Sequence, residues 1–206
     1  EEKAAELYEE AAEAGYTPAE YALGLMYEQG TGVIKDVSEA IRLYLRAAYA
    51  GYGPAQCRMG LMFEEGIGTQ KDVHKAVGLY ALGANQGYAP AQTNLGSMYE
   101  YGSGVMEDKA EALRLYQLAV EQGFAYAQYC LGLMYDNGTG VQKDEKEAVR
   151  LFQLASNQGD ISAQSNLGVM YLCGTGVQKD EKEAARLFQI AAGAGNAVAQ
   201  YSPSDE

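Results

Sequence analysis

Apolar and polar positions follow two helical stripes that take turns along the chain. In residues 126–137, Ala127, Leu131, Met134 and Tyr135 recur at the spacing of one helix face, and Gly138 stops the run. A second stripe, Ala148, Leu151, Phe152 and Ala155, opens after Asp144 and ends at Gly159. Asp144 is an N-cap residue with Glu147 three positions on. The same Asp-x-x-Glu step stands at Asp36 and Glu39, at Asp108 and Glu111, and at Asp180 and Glu183, while Lys75 breaks it in the second copy. The pattern predicts paired helices joined by Gly-containing turns, and no strands.

The pairs repeat. Glycine falls at 24, 60, 96, 132 and 168, at 30, 66, 102, 138 and 174, at 32, 68, 104, 140 and 176, and at 15, 51, 87, 123, 159 and 195, so the period is 36 throughout. Most of the 25 Gly are therefore punctuation and not flexible linker. Read in phase, Glu1 to Ala14 is a lone second helix with the stripe Ala4, Leu7, Tyr8 and Ala11, and Val198 to Tyr201 opens a further first helix that stops at Ser202 and Pro203. The expected organisation is one array: a capping half repeat at 1–17, full repeats at 18–53, 54–89, 90–125, 126–161 and 162–197, and a stub at 198–206. One helix pair cannot bury its own apolar face, so neighbours must stack into an all-α solenoid.

The string Ala127, Leu131, Gly132, Tyr135, Gly138, Gly140, Val141, Asp144, Ala148, Leu151, Phe152, Ala155 and Gly159 resembles the Sel-one-like repeat, a subclass of the tetratricopeptide superfamily, over essentially all 206 residues. The resemblance implies a right-handed superhelical scaffold that binds other proteins, with first helices lining a concave groove. It supplies no catalytic residue.

Charge narrows the partners. The net charge is -13, which argues against nucleic acid, whose affinity comes from Lys and Arg on phosphates. No run approaches the roughly 18 apolar residues of a membrane span, and the opening Glu1-Glu2-Lys3 carries neither an initiator Met nor a signal segment, so the chain reads as a trimmed piece. Six Glu and one Lys in residues 1–17 suit a solubilising cap. A monomer is expected. Unpaired thiols lean towards a reducing compartment, although bacterial relatives of this kind include exported proteins.

Candidate chemistry is sparse, and neither a catalytic, a metal nor a cofactor site is expected. The Gly138-Thr-Gly-Val-Gln-Lys143 loop lacks the strand and third Gly of a phosphate cradle, and Asp144 fills the anion position. His74 has neither a second His nor a paired Cys beside it. Cys57, Cys130 and Cys173 lie at three phases of the repeat and are expected to stay free. The Gln series 56, 92, 128, 164, 200 and the Arg series 42, 114, 150, 186 are so regular that both read as structural. A penicillin-binding or penicillin-hydrolysing member of the family is the alternative, but the chain has no Ser-x-x-Lys and no paired Cys in each repeat.

One feature points to binding. On a first helix drawn at about 100° per residue, Leu133 lies opposite the core stripe, where Leu25, Leu61, Ser97 and Val169 share its phase. Tyr21 and Tyr129 flank this row on one side and Tyr101 on the other, and Glu28, Glu64, Glu100 and Asp136 edge it. The expectation is a non-enzymatic scaffold that holds a peptide or helix of a protein partner on this face, the acids favouring a basic one.

Overall fold

The computed structural model describes residues 1–193. These form eleven α-helices and, among the described residues, no strand: α1 Glu2–Glu13, α2 Thr17–Gln29, α3 Val37–Tyr49, α4 Gly53–Glu65, α5 Val73–Asn85, α6 Ala89–Tyr101, α7 Lys109–Glu121, α8 Ala125–Asn137, α9 Glu145–Asn157, α10 Ile161–Cys173 and α11 Glu181–Gly193. The even-numbered helices are the first helices of the repeats and the odd-numbered ones the second. The first helix expected from Val198 lies outside the described residues. Two compact units divide the chain, Glu1–Glu107 and a second beginning at Asp108.

Sequence sets each boundary. Asp36, Asp108, Asp144 and Asp180 each accept two backbone N–H bonds, from residues two and three positions on. Asp72 caps α5 through the N–H of Lys75 and also pairs with the Lys75 ammonium, so the cap holds without the Glu. Each first helix ends on a left-handed Gly, from Gly30 to Gly174. The turn beyond is tied back to its helix: Asp36 N donates to Tyr27 O at 2.9 Å and Asp144 N to Tyr135 O at 3.0 Å.

Within a repeat, the two helices meet through an aromatic ring and a glycine. A Cβ added at Gly24, Gly60, Gly132 or Gly168 would fall 2.5, 2.6, 2.6 or 2.7 Å from the ring of Tyr44, Tyr80, Phe152 or Phe188. Only glycine permits that approach. The three rings Tyr44, Tyr80 and Phe152 are completely buried, each with about 1.5 to 3 kcal/mol of burial at stake. Clusters of Ala, Leu and Met fill in around the rings, such as Ala148, Phe152, Ala155, Ala163, Leu167, Met170 and Leu187 in the second unit.

Between repeats, the second glycine of each turn does the equivalent work. Gly68 sits against Val37 and Ile41, Gly104 against Val73, Gly140 against Lys109, and Gly176 against Glu145, always at the start of the preceding second helix. The Gly-x-Gly turn is thus an inter-repeat contact.

Among the described residues the Gln series is structural, as its regularity suggested, and Gln200 lies outside them. Gln56, Gln92 and Gln164 are buried and donate to the carbonyls of Ala48, Ala84 and Ser156, while Gln86 and Gln158 donate to the side-chain oxygens of Gln56 and Gln128. In the first repeat Glu20 stands at the Gln position and has no N–H to give. Arg46 replaces it, donating to Ala12 O and pairing with Glu20 at 2.7 Å. The Arg series makes two-pronged bonds on the helix surface, as in Arg150 with Glu147.

The α5 helix is expected to be the weak element, with Gly78 and Gly83 where other repeats carry Arg and Ala. Their surroundings differ. Nothing lies within 4 Å of a Cβ at Gly78, whereas one at Gly83 would meet Ala91 Cβ at 2.9 Å and Gly53 O at 3.3 Å. From sequence, Gly83→Ala stabilises only if the site has room for a methyl, and the packing leaves none. Gly78→Ala is expected to raise stability by about 0.5 to 1 kcal/mol, and Gly83→Ala to lower it. Urea unfolding of both variants checks the contrast, and equal stabilisation by the two would contradict it.

Candidate functional site

The residues expected to form a binding face all lie on first helices, and each unit presents its own patch. In the first unit Leu25 and Leu61 are half-buried, Tyr21 is half-buried, and Tyr101 is 70% exposed. Tyr21 does not stand clear in solvent. Its ring lies 5.6 Å from those of Tyr44 and of Tyr52, and burial pushes its hydroxyl pKa up, an effect the nearby Arg58 partly offsets.

The same phase carries Cys57 and Thr93, both buried. Thr93 Oγ1 donates to Ala89 O, and Asn94 Nδ2 to Cys57 Sγ at 3.6 Å. Small side chains at this phase are packed away, while Tyr21 and Tyr129 stay half-buried. Burial pushes the Cys57 thiol up to about 12.

In the second unit Tyr129 and Leu133 are half-buried, and Val169 is 42% exposed. Tyr129 rests 5.9 Å from Phe152 and stacks 6.2 Å from the exposed Tyr126. Both Tyr129 and Leu133 pack along the cluster around Phe152. Burial raises the Tyr129 pKa, with Asn166 and Ser162 acting against it. The face is a shallow apolar strip half sunk into the repeats.

The acidic edge behaves differently from the row of like charges that the sequence suggested. Glu28 Oε2 accepts from the buried Tyr44 hydroxyl at 2.7 Å and from Arg58 Nε at 3.0 Å, with Arg58 Nη2 on its other oxygen. Glu64 accepts from Tyr80 at 2.7 Å. These carboxylates satisfy hydroxyls that would otherwise be buried without a partner, and desolvation followed by the carboxylate bond raises the pKa of both tyrosines. Glu100 and Asp136 are half-buried.

The sequence held a signal for this that its reading passed over. Glu stands sixteen residues before Tyr at 28 and 44, 64 and 80, and 100 and 116, but where Asp136 and Leu172 replace Glu the ring is Phe, at 152 and 188. Hydroxyl and full-length acid come and go together.

Elsewhere the chemistry is quiet. His74 is exposed, and its Nδ1 donates to Gly104 O at 2.9 Å. Among the described residues no group of His, Cys, Asp and Glu is arranged to hold a metal ion, and no helix is long and apolar enough to cross a membrane. An open hollow of about 740 Å³ lies against the turn residues Lys143–Lys146 and Gly174, Gly176, Val177 and Gln178.

Two measurements test this arrangement. Phe152→Tyr alone is expected to cost about 1 to 3 kcal/mol, because Asp136 is one methylene short of the Glu that meets the hydroxyl elsewhere. Adding Asp136→Glu should recover most of it, so a denaturation double-mutant cycle without coupling would contradict the pairing. With Cys57 and Cys130 buried and Cys173 exposed, an aromatic disulfide reagent at pH 8 should titrate one thiol quickly in the native protein and three after unfolding.

Comparison with known proteins agrees with the repeat geometry. The family model described as Sel1 repeat matches residues 1–16, 17–52, 53–88, 89–124, 125–160 and 161–196. Among solved structures the chain is similar to c5321, a protective antigen of uropathogenic Escherichia coli strains displaying an SLR fold, at 38% identity and TM-score 0.79 over 94% of this chain and 42% of that one. The chain thus spans less than half the length of that relative. It is also similar to a Sel1 repeat protein from Oxalobacter formigenes, at 31% identity and TM-score 0.83 over 95% of this chain and 84% of that one. A third likeness is to immunity protein Pa5087 from Pseudomonas aeruginosa, at 26% identity and TM-score 0.64 over 97% of this chain and 79% of that one. Among curated proteins none matches. With six in-phase repeats matched and the same helical pairs in its relatives, the chain belongs to the Sel1 repeat family and folds as a Sel1-repeat solenoid.

Proposed function

We propose that this chain is a non-enzymatic scaffold that holds a peptide or helix of a partner protein on the face lined by its first helices, the concave groove implied by the family resemblance. Sel1 repeat proteins are generally protein-interaction scaffolds, and the similarity to an immunity protein fits a protein partner. The observation that carries the reading is how charge is sorted between the two kinds of helix. Of the 15 Lys and Arg, only Arg58 lies on a first helix, and it is held by Glu28. The first helices carry Glu20, Glu28, Glu64, Glu65, Glu100 and Asp136 instead.

An acidic face with Leu25, Leu61, Leu133 and Val169 along it suits a segment that offers both apolar and basic side chains. Tyr101 and Val169, the most exposed of the row, are its leading anchors. Glu28 and Glu64 are occupied by Tyr44 and Tyr80, which leaves Glu65, exposed and beside the row, as the acid best placed to steer a cation.

Selection of a random peptide library on the intact chain tests the proposal. Retained peptides should be rich in Lys, Arg and large apolar residues. Leu133→Ser with Val169→Ser should weaken peptides that bind the second unit at least tenfold, about 1.4 kcal/mol, while Glu65→Lys should slow association at the first unit and flatten its salt dependence. Peptides that bind both variants as tightly as the parent chain would move the site elsewhere.

A further inference from the structure

In the first unit, tyrosines from three successive repeats gather near the N-terminal ends of the first helices. Tyr52 and Tyr88 are the N-cap residues of α4 and α6, and their backbones nearly coincide, with φ -75° and ψ 108° in one and φ -73° and ψ 108° in the other. Pro54 and Pro90, two positions on, fix both helix starts. Tyr21 of α2 sets its ring edge-on to that of Tyr52, the centroids 5.6 Å apart. Burial pushes the Tyr88 hydroxyl up to about 12, and the nearby Tyr21, Cys57 and Tyr52 add to it. Beside the rings α4 presents Gly53 and Cys57, one turn apart and both buried; a Cβ at Gly53 would lie 3.5 Å from that of Tyr88.

The hydroxyls set this cluster apart from the rings of the core. Tyr44 and Tyr80 give theirs to Glu28 and Glu64. Among the described residues none bonds the hydroxyl of Tyr21, Tyr52 or Tyr88, although all three side chains are half-buried. A strip of open donors suits a row of open acceptors. The carbonyls of a helix are already taken, but those of a polyproline II segment are free. Its spacing fits as well, because three residues advance about 9 Å, and packed helices such as α4 and α6 stand roughly 8 to 10 Å apart. Charge selects the flanks. The helices α2, α4 and α6 carry Glu20, Glu28, Glu64, Glu65 and Glu100 against Arg58 alone, so basic residues suit them.

We propose that Tyr21, Tyr52 and Tyr88 form a docking strip for an extended segment of a partner protein that has two prolines three residues apart and Lys or Arg at its ends. One proline sits between Tyr21 and Tyr52, the next between Tyr52 and Tyr88, and the hydroxyls donate to the carbonyls around them. This rests on the first-helix face being the binding surface, and it narrows the occupant at the first unit to a polyproline II segment. The second unit has no such strip: Phe124 and Asp160 stand at the positions of Tyr52 and Tyr88, and Asn166 and Ser162 bond the Tyr129 hydroxyl.

The test titrates a fluorescein-labelled Lys-Lys-Pro-Ala-Ala-Pro-Lys-Lys peptide into the intact chain, followed by anisotropy up to about 1 mM. Saturable binding is expected, with Lys-Lys-Pro-Ala-Pro-Ala-Lys-Lys, the same composition at the wrong spacing, at least tenfold weaker. Tyr52→Phe with Tyr88→Phe keeps the rings and removes hydroxyls that bond nothing in the fold. The melting curve should therefore stay in place while affinity falls about tenfold. Tyr52→Ala with Tyr88→Ala should abolish saturation, and Leu133→Ser with Val169→Ser should change nothing. Failure to saturate, equal binding of the two peptides, or full affinity in the Phe variant would overturn the proposal. If library peptides are still held on the first helices in that event, the broader reading stands and only its occupant changes.

Discussion

An aromatic ring pressed against a glycine backbone closes the repeats built on Gly24, Gly60, Gly132 and Gly168, and the other features of those repeats follow from how near that contact brings two helices. At Gly24, Gly60, Gly132 and Gly168 the ring stands where a methyl group would otherwise be. Such proximity buries Tyr44, Tyr80 and Phe152 completely, so a tyrosine hydroxyl arriving there has lost water and needs an acceptor. Glu28 and Glu64 provide it from one turn further along the first helix. The repeats that use Phe have no such need, and their acid is shortened to Asp136 or gone at Leu172.

The buried amides obey the same accounting. A Gln near the start of the first helix reaches back to an otherwise open carbonyl at the end of the preceding second helix, as Gln56 does to Ala48. When the first repeat exchanges that Gln for Glu20, a donor disappears and a buried charge appears, and Arg46 answers both at once. Position 46 is aliphatic in the later repeats, at Leu82, Leu118, Leu154 and Ile190, where the amide needs no such help.

The fold was legible because its determinants are local and periodic: Gly spacing, Asp caps and apolar stripes name the helices to within a residue, as for α8 from Ala125 and α9 from Glu145. The candidate site was legible only as a face. A helical wheel places Tyr21 and Tyr129 outside the core stripe, but it knows nothing of the next repeat. It therefore could not show that Tyr21 leans on Tyr52, or that Cys57, Thr93 and Ser165 at the same phase are buried. The roles of Glu28 and Glu64 were encoded in pairs sixteen residues apart, visible only when differences between repeats are compared. Likewise Leu7 and Tyr8 match the core stripe in sequence, yet both are exposed.

The two kinds of turn differ in what surrounds them. The turn between the helices of one repeat is clamped on both sides, its first glycine against the residue before the capping Asp, a Lys or, at 107, a Glu, and its second against the previous repeat. The turn that joins one repeat to the next, at Gly15, Gly51, Gly87, Gly123 and Gly159, has nothing within 4 Å of where a side chain would begin. Lengthening the first kind would push apart two repeats; lengthening the second would add chain into open space. New loops, tags or grafted epitopes are thus accommodated at one junction per 36 residues, and the interval itself is held fixed by the other.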